Sequence, residues 1–275
     1  MSMTVIRCAP ASGKIVFSRY SICFALLLML SFSALSDDRF TVNLGAEYTT
    51  GKYGGSESVN EWYVPVTMRY SSDSWVYRVT VPYLEVTAPS GGELIGYDPN
   101  GIPIYSGSTE RETEAGLGDI IASVKYAGIY KNIKLGLLVD IFGKVKLGTA
   151  DENKALGTGE NDYTVGIDFI KRDKPYSTLF GVGYTWRGDP PDLAIRDTYS
   201  AYVGVVRDVT DKLDMGLVYA YGLSAFSEQD DLQELDVDIS YRFTTGTNIR
   251  FYGIYGMSDG SPDQGLGVSL GFSLK

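Results

Sequence analysis

The sequence predicts an all-β chain: a transmembrane, antiparallel, up-and-down β-barrel of about 12 strands, of the bacterial outer-membrane type. Three observations predict it. From Arg39 onward, apolar residues alternate with Gly, Ser, Thr and charged residues in run after run. The connections between runs alternate short and long, as they do where tight turns line one membrane face and loops the other. No segment after residue 36 approaches the ~18 consecutive apolar residues of a helical span. Lipid offers the backbone no hydrogen-bond partner, so a chain that crosses it without helices must close its sheet.

The elements follow in order. Arg7, Lys14 and Arg19 precede the apolar run ICFALLLMLSFSAL, and Ala34-Leu35-Ser36 supplies small residues before Asp37-Asp38. Residues 1–36 therefore read as a cleavable signal peptide and 37–275 as the barrel, exported to the bacterial outer membrane with outer-membrane lipid around it. Cys8 and Cys23 both fall in the signal, so the mature chain has no cysteine and a disulfide-stapled fold is excluded.

The strands expected are about 39–50, 58–71, 74–88, 115–129, 133–148, 161–171, 176–187, 198–207, 212–225, 232–244, 247–258 and 264–275. In the first, Phe40, Val42, Leu44, Ala46 and Tyr48 share one face against Thr41, Asn43, Gly45, Glu47 and Thr49. Leu235, Val237, Ile239, Tyr241 and Phe243 alternate in the same way with Glu234, Asp236, Asp238, Ser240 and Arg242. Short connections fall near 72–73, 130–132, 172–175, 208–211 and 245–246, and longer ones near 51–57, 89–114, 149–160, 188–197, 226–231 and 259–263. Trp62, Trp75, Tyr83, Tyr126, Tyr163, Tyr184 and Trp186 lie near strand ends, where aromatic girdles sit at the membrane interfaces. The 89–114 segment is too long for a simple connector and rich in turn residues; it either folds into the mouth and narrows the lumen or lies on the surface.

The alternation also assigns the inner face. Its charged members are Glu47, Glu61, Arg69, Arg78, Asp119, Lys125, Lys134, Asp140, Lys144, Lys146, Asp168, Arg187, Asp236, Asp238, Arg242 and Arg250. Beside a lumen such charges must pair or stay wet. A tight turn at Asp73-Ser74 would set Pro65 opposite Pro82 and Arg69 opposite Arg78. Facing prolines remove ladder donors and should open or bulge the wall. Facing arginines repel and need a carboxylate, such as Glu61, or an anion.

Composition narrows the function. Lys and Arg number 24 against 34 Asp and Glu; with the three basic residues of the signal set aside, 21 remain. That acidic balance argues against a nucleic-acid partner, which needs basic surface. The sequence has no histidine, which removes His-dependent catalysis and His metal sites, and without cysteine no thiolate chemistry remains. No cofactor and no enzymatic activity are expected. A carboxylate pair such as Asp236 with Asp238 reads more simply as lumen lining than as a hydrolytic site.

Gly116-Leu117-Gly118-Asp119-Ile120 before a strand, Lys144-Val145-Lys146-Leu147-Gly148-Thr149-Ala150-Asp151, Leu156-Gly157-Thr158-Gly159-Glu160-Asn161-Asp162-Tyr163 and Val81-Pro82-Tyr83 are similar to phrases of the outer-membrane family associated with meta-pathway phenol degradation. Gly148 stands where that family's strand end carries proline. The resemblance implies a barrel that moves small, aromatic or hydrophobic solutes. A channel or transporter is therefore the leading expectation; a structural or adhesion barrel with a closed lumen is the alternative, and an outer-membrane hydrolase comes third.

Overall fold

The computed structural model describes residues 38–90, 93–97, 102–107, 110–151, 154–190 and 195–274. The signal expected at 1–36 lies outside the described residues. The strands are β1 (Arg39–Gly51), β2 (Val59–Ser72), β3 (Trp75–Pro89), β4 (Glu93–Tyr97), β5 (Pro103–Ser106), β6 (Arg111–Leu117), β7 (Ile120–Asn132), β8 (Leu137–Leu147), β9 (Asp162–Asp173), β10 (Tyr176–Trp186), β11 (Thr198–Asp208), β12 (Leu213–Gly222), β13 (Leu232–Arg242), β14 (Thr247–Gly256) and β15 (Gln264–Leu274).

Thirteen strands form one antiparallel sheet, and β4 with β5 form a separate hairpin. The large sheet closes on itself: β1 pairs with β2 on one side and with β15 on the other. The first half of β3 pairs with β7 and its second half with β6, so β6 and β7 are one wall strand broken at Gly118-Asp119. The wall thus has the 12 strands expected; among the described residues β6 pairs only with β3, so its other side is the one strand edge left beside the break.

The register places the alternation as expected. Apolar residues of one parity point outward and stay exposed, among them Leu44, Val64, Val66, Val79, Val203, Leu217 and Val237. All seven girdle aromatics are on that outer face. Trp75 and Tyr126 meet edge-on at the short-turn rim, while Tyr184 contacts Trp186 and Tyr199 at the other rim. An outward-facing apolar belt of this kind, flanked by aromatic girdles, is the pattern of a transmembrane barrel.

The facing prolines act differently from expectation. Pro65 pairs with Pro82 and Arg69 with Arg78, but the β2–β3 ladder runs unbroken from Asn60↔Thr87 to Ser72↔Trp75. The reason is direction. The Pro82 carbonyl accepts from the Gly118 N–H at 3.0 Å, so the backbone polar edge of Pro82 faces β6 and β7 rather than β2. By the alternation of an antiparallel ladder, Pro65 turns its edge toward β1. Each proline therefore withholds a donor from its other neighbour. The interruptions fall there: between Leu44↔Val66 and Glu47↔Tyr63 in β1–β2, and at the break between β6 and β7.

Two boundaries also move. β7 runs on to Asn132 through a bulge between Tyr126 and Tyr130, and β8 begins at Leu137 rather than 133. The Asn132 side chain accepts the Leu135 N–H at 3.1 Å and closes the turn between them. Lys134, expected on the inner face, consequently sits in that exposed turn at the short-turn rim.

Candidate functional site: the lumen wall and its mouth

The candidate site is the inner face. A break in the wall organises its loop-side rim. Asp119, freed from the ladder between β6 and β7, is buried and accepts the N–H groups of Thr149 and Ala150 at 3.0 and 2.9 Å through one oxygen. Its other oxygen takes Lys146 Nζ at 2.6 Å. Lys146 also lies 3.7 Å from Asp162, which binds Arg187 at 2.9 Å and the Gly188 N–H at 3.0 Å. Three sequence phrases distant along the chain thus become one knot. Gly148 belongs to it: a side chain there would collide with the Gly159 carbonyl at 2.1 Å, and its N–H donates to Asn161 at 2.9 Å. A proline can supply neither the space nor the donor.

Deeper in the wall, Lys125 binds Asp168 at 2.5 Å and lies 3.9 Å from Asp140. Tyr202 donates to Asp168 at 2.8 Å, and Asp140 accepts the Gly128 N–H of the bulge at 2.7 Å. Across β12–β15 and β1, Arg250 binds Asp238 at 2.9 Å, Tyr252 donates to Glu47 at 2.6 Å, and Arg242 binds Asp214 at 2.7 Å. Asp236 points inward with Oδ1 lacking a partner among the described residues, and Glu61 is buried near the mouth.

Arg69, Arg78 and Lys144 differ. All three point inward and remain exposed, and none has an ion pair or hydrogen bond among the described residues. Glu61 does not neutralise Arg69: eight positions along β2 separate them, about 26 Å in an extended strand.

Sequence reading left out the inner-face aromatics. Phe142, Tyr202 and Tyr252 each lie flat over a glycine on the adjacent strand. A Cβ added at Gly166, Gly181 or Gly267 would come within 2.2 Å of their rings. Glycine on one strand thus lets a large ring lie along the wall instead of projecting into the lumen. The signal was present, since each ring and its glycine share the polar parity, but only the register pairs them.

Within the 89–114 segment, the described β4–β5 hairpin packs at the mouth. Ile102 and Ile104 are fully buried in one cluster with Leu84, Val86, Leu156, Ala150, Tyr53 and Val59. Leu84 and Val86 have the inward parity of β3, so the isoleucines pack on the inside of the wall. At the hairpin's other strand, a methyl placed on Gly96 would come within 2.5 Å of the Gln229 carboxamide. Gln229 lies in the connection between β12 and β13, on the far side of the ring from β3. The hairpin therefore spans the mouth.

No group of His, Cys, Asp and Glu among the described residues is arranged to hold a metal ion.

A closed antiparallel barrel with an apolar outer belt and a charged inner face defines the class. Residues 37–274 match the family described as "Putative MetA-pathway of phenol degradation", and the chain belongs to that family. Among solved structures it is similar to the COG4313 outer membrane channel from Pseudomonas putida F1: TM-score 0.65, 11% identity, covering 89% of this chain and 98% of that one. It is also similar to the KdgM porin, with a TM-score of 0.53 and 8% identity over 86% of this chain and 99% of that one. These likenesses establish the fold. A comparison with curated proteins finds no match.

Proposed function

We propose that the protein is a channel of the bacterial outer membrane that passes small solutes through a mouth narrowed by the β4–β5 hairpin. The observation that carries this reading is the exposed, charged inner face. Arg69, Arg78 and Lys144 point inward yet stay exposed, while the larger rings lie flat against the wall. Twelve strands enclose a lumen wider than the side-chain-filled interior of eight and narrower than that of a 16-stranded porin. The fold shared with two outer-membrane channel structures supports the same reading. The family's description supports small aromatic solutes as cargo. Residues 1–36 would serve as the export signal, which the mass of the mature chain tests; a start at Asp37 is expected.

The hairpin across the mouth favours a second reading, a barrel with a closed lumen whose loops act at the surface. Planar-bilayer recording of the folded protein separates the two. Discrete openings with uptake of phenol into proteoliposomes support the channel. A folded, heat-modifiable barrel with neither conductance nor uptake refutes it and supports the closed barrel.

A further inference from the structure

We propose that the inner face of β2, β3, β7 and β8 holds a binding arc for small organic anions that carry one planar carboxylate on a flat apolar body; the arc rests on the channel reading for its route of access. The register builds it. Arg69 pairs with Arg78, Arg78 with Ser123, and Ser123 with Lys144. The four side chains lie side by side on one row, over about 14 Å at sheet spacing. Residues directly opposite have Cβ atoms about 5 Å apart, a distance at which like charges repel. Arg69 and Arg78 tolerate that contact without any carboxylate among the described residues.

The rest of the wall makes the arc distinctive. Lys125, Lys146 and Arg187 each have an aspartate within 3 Å. Cations of this lumen are thus in direct contact with a carboxylate wherever the wall is to be held together, whereas Arg69, Arg78 and Lys144 make no contact ion pair among the described residues. The guanidinium fork suits a planar carboxylate, which it grips through two parallel hydrogen bonds. Ser123 places a hydroxyl between Arg78 and Lys144.

An apolar platform lies beside the charges. Phe142 is two residues from Lys144 on the same face, half-exposed, its ring flat over Gly166. A carboxylate held by Arg78 and Lys144 would set its body toward that ring. Bare inorganic anions would gain only the charges; an aryl carboxylate would gain both.

The test is calorimetric titration of the detergent-solubilised, heat-modifiable protein with benzoate, phenol, benzylamine and inorganic phosphate. Saturable benzoate binding, with phenol and benzylamine silent, is expected. Arg69→Gln and Arg78→Gln should each weaken it about tenfold, the loss of one charge-assisted hydrogen bond pair, and together abolish it. Arg78→Lys should keep part of it. Lys171→Gln makes the same charge change on the outer face of β9 and should leave binding as it was. Absence of benzoate binding by the folded barrel, or binding indifferent to both arginine changes, overturns the arc. Phosphate bound as tightly as benzoate overturns the role of the apolar body. Because binding is read without conduction, a barrel that binds benzoate but never conducts would refute the channel reading alone.

Discussion

Undocking the β4–β5 hairpin should widen the mouth. Ile102 is 1% exposed and Ile104 is 0% exposed, so both are fully inside the cluster that ties the hairpin to Leu84 and Val86. Truncating a buried isoleucine to alanine costs about 2–5 kcal/mol where the site cannot relax. A mouth can relax and admit water, so the low end applies, and two neighbours sharing one cluster add less than fully. About 3 kcal/mol for the double change I102A/I104A is a reasonable total, or about 150-fold in the docked-to-undocked ratio. The wall ladders do not pass through these residues, so heat-modifiable migration should be kept. In single-channel recordings the double variant should show a larger conductance and frequent transitions between two levels, where the parent shows one. Identical conductance and noise in a folded double variant would mean that the hairpin does not restrict the path.

Three other perturbations probe the wall. Asp119→Ala removes the carboxylate that holds Lys146 and the Thr149 and Ala150 N–H groups; breaking so buried a pair should cost about 3–5 kcal/mol, read as a lower melting temperature and faster proteolysis of the 148–161 connection. Gly267→Val should drive its Cβ into the Tyr252 ring, which would swing into the lumen and release Glu47; a smaller conductance and a loss of about 1–3 kcal/mol are expected, and an unchanged conductance would contradict the flat-ring geometry. Acid should loosen two loops. The Tyr184 hydroxyl and the Arg187 N–H hold the Asp197 carboxyl below its ordinary value, and the Tyr221 hydroxyl and the Ser224 N–H do the same for Asp231. A depressed pKa contributes stability that is present above the unfolded value and lost as pH falls through the folded one. Hydrogen-exchange protection of the Arg187 and Ser224 N–H groups should therefore persist from neutral pH downward and be lost only below the ordinary aspartate value of 3.8; protection already lost near pH 6 would disprove this.

The strand pattern was legible because lipid and lumen impose opposite demands on successive residues. That demand is local, repeated, and visible in single runs such as Leu235 to Phe243. The tight turn at Asp73-Ser74 extends legibility to register, so the sequence alone sets Arg69 opposite Arg78. What stayed hidden depends on partners distant in sequence. Asp119 reads as one more inner-face charge, yet the break between β6 and β7 turns it toward Thr149 and Ala150. Lys134 continues the parity of β8 but is claimed by the Asn132 turn. The β4–β5 hairpin carries Ile102, Pro103 and Ile104 among turn residues, too few to show a period, and becomes intelligible only against Leu84 and Val86. The direction of the Pro65 and Pro82 backbone edges likewise depends on which pairs are hydrogen-bonded, and residue parity alone does not settle that.

Burial offers a physical rule for dividing the lumen charges between holding the wall and meeting a solute. Asp119, Asp140, Asp162 and Asp168 are all buried, and each binds a cation or a backbone N–H. A charge withdrawn from water must find such partners, because its desolvation otherwise costs several kcal/mol. Pairing at these positions is therefore imposed by burial, and it fastens β7, β8, β9 and their connections to one another. Arg69, Arg78 and Lys144 keep more of their surface exposed and make no contact ion pair among the described residues. Like charges face each other there, and selection on stability alone would favour removing at least one member of the facing arginine pair. Their unmatched charge is thus the part of the wall that structure does not require, and the part that a passing solute meets undiminished. A stability screen across the inner face should sort the residues the same way: large losses for the four aspartates, and none or a slight gain for Arg69→Gln.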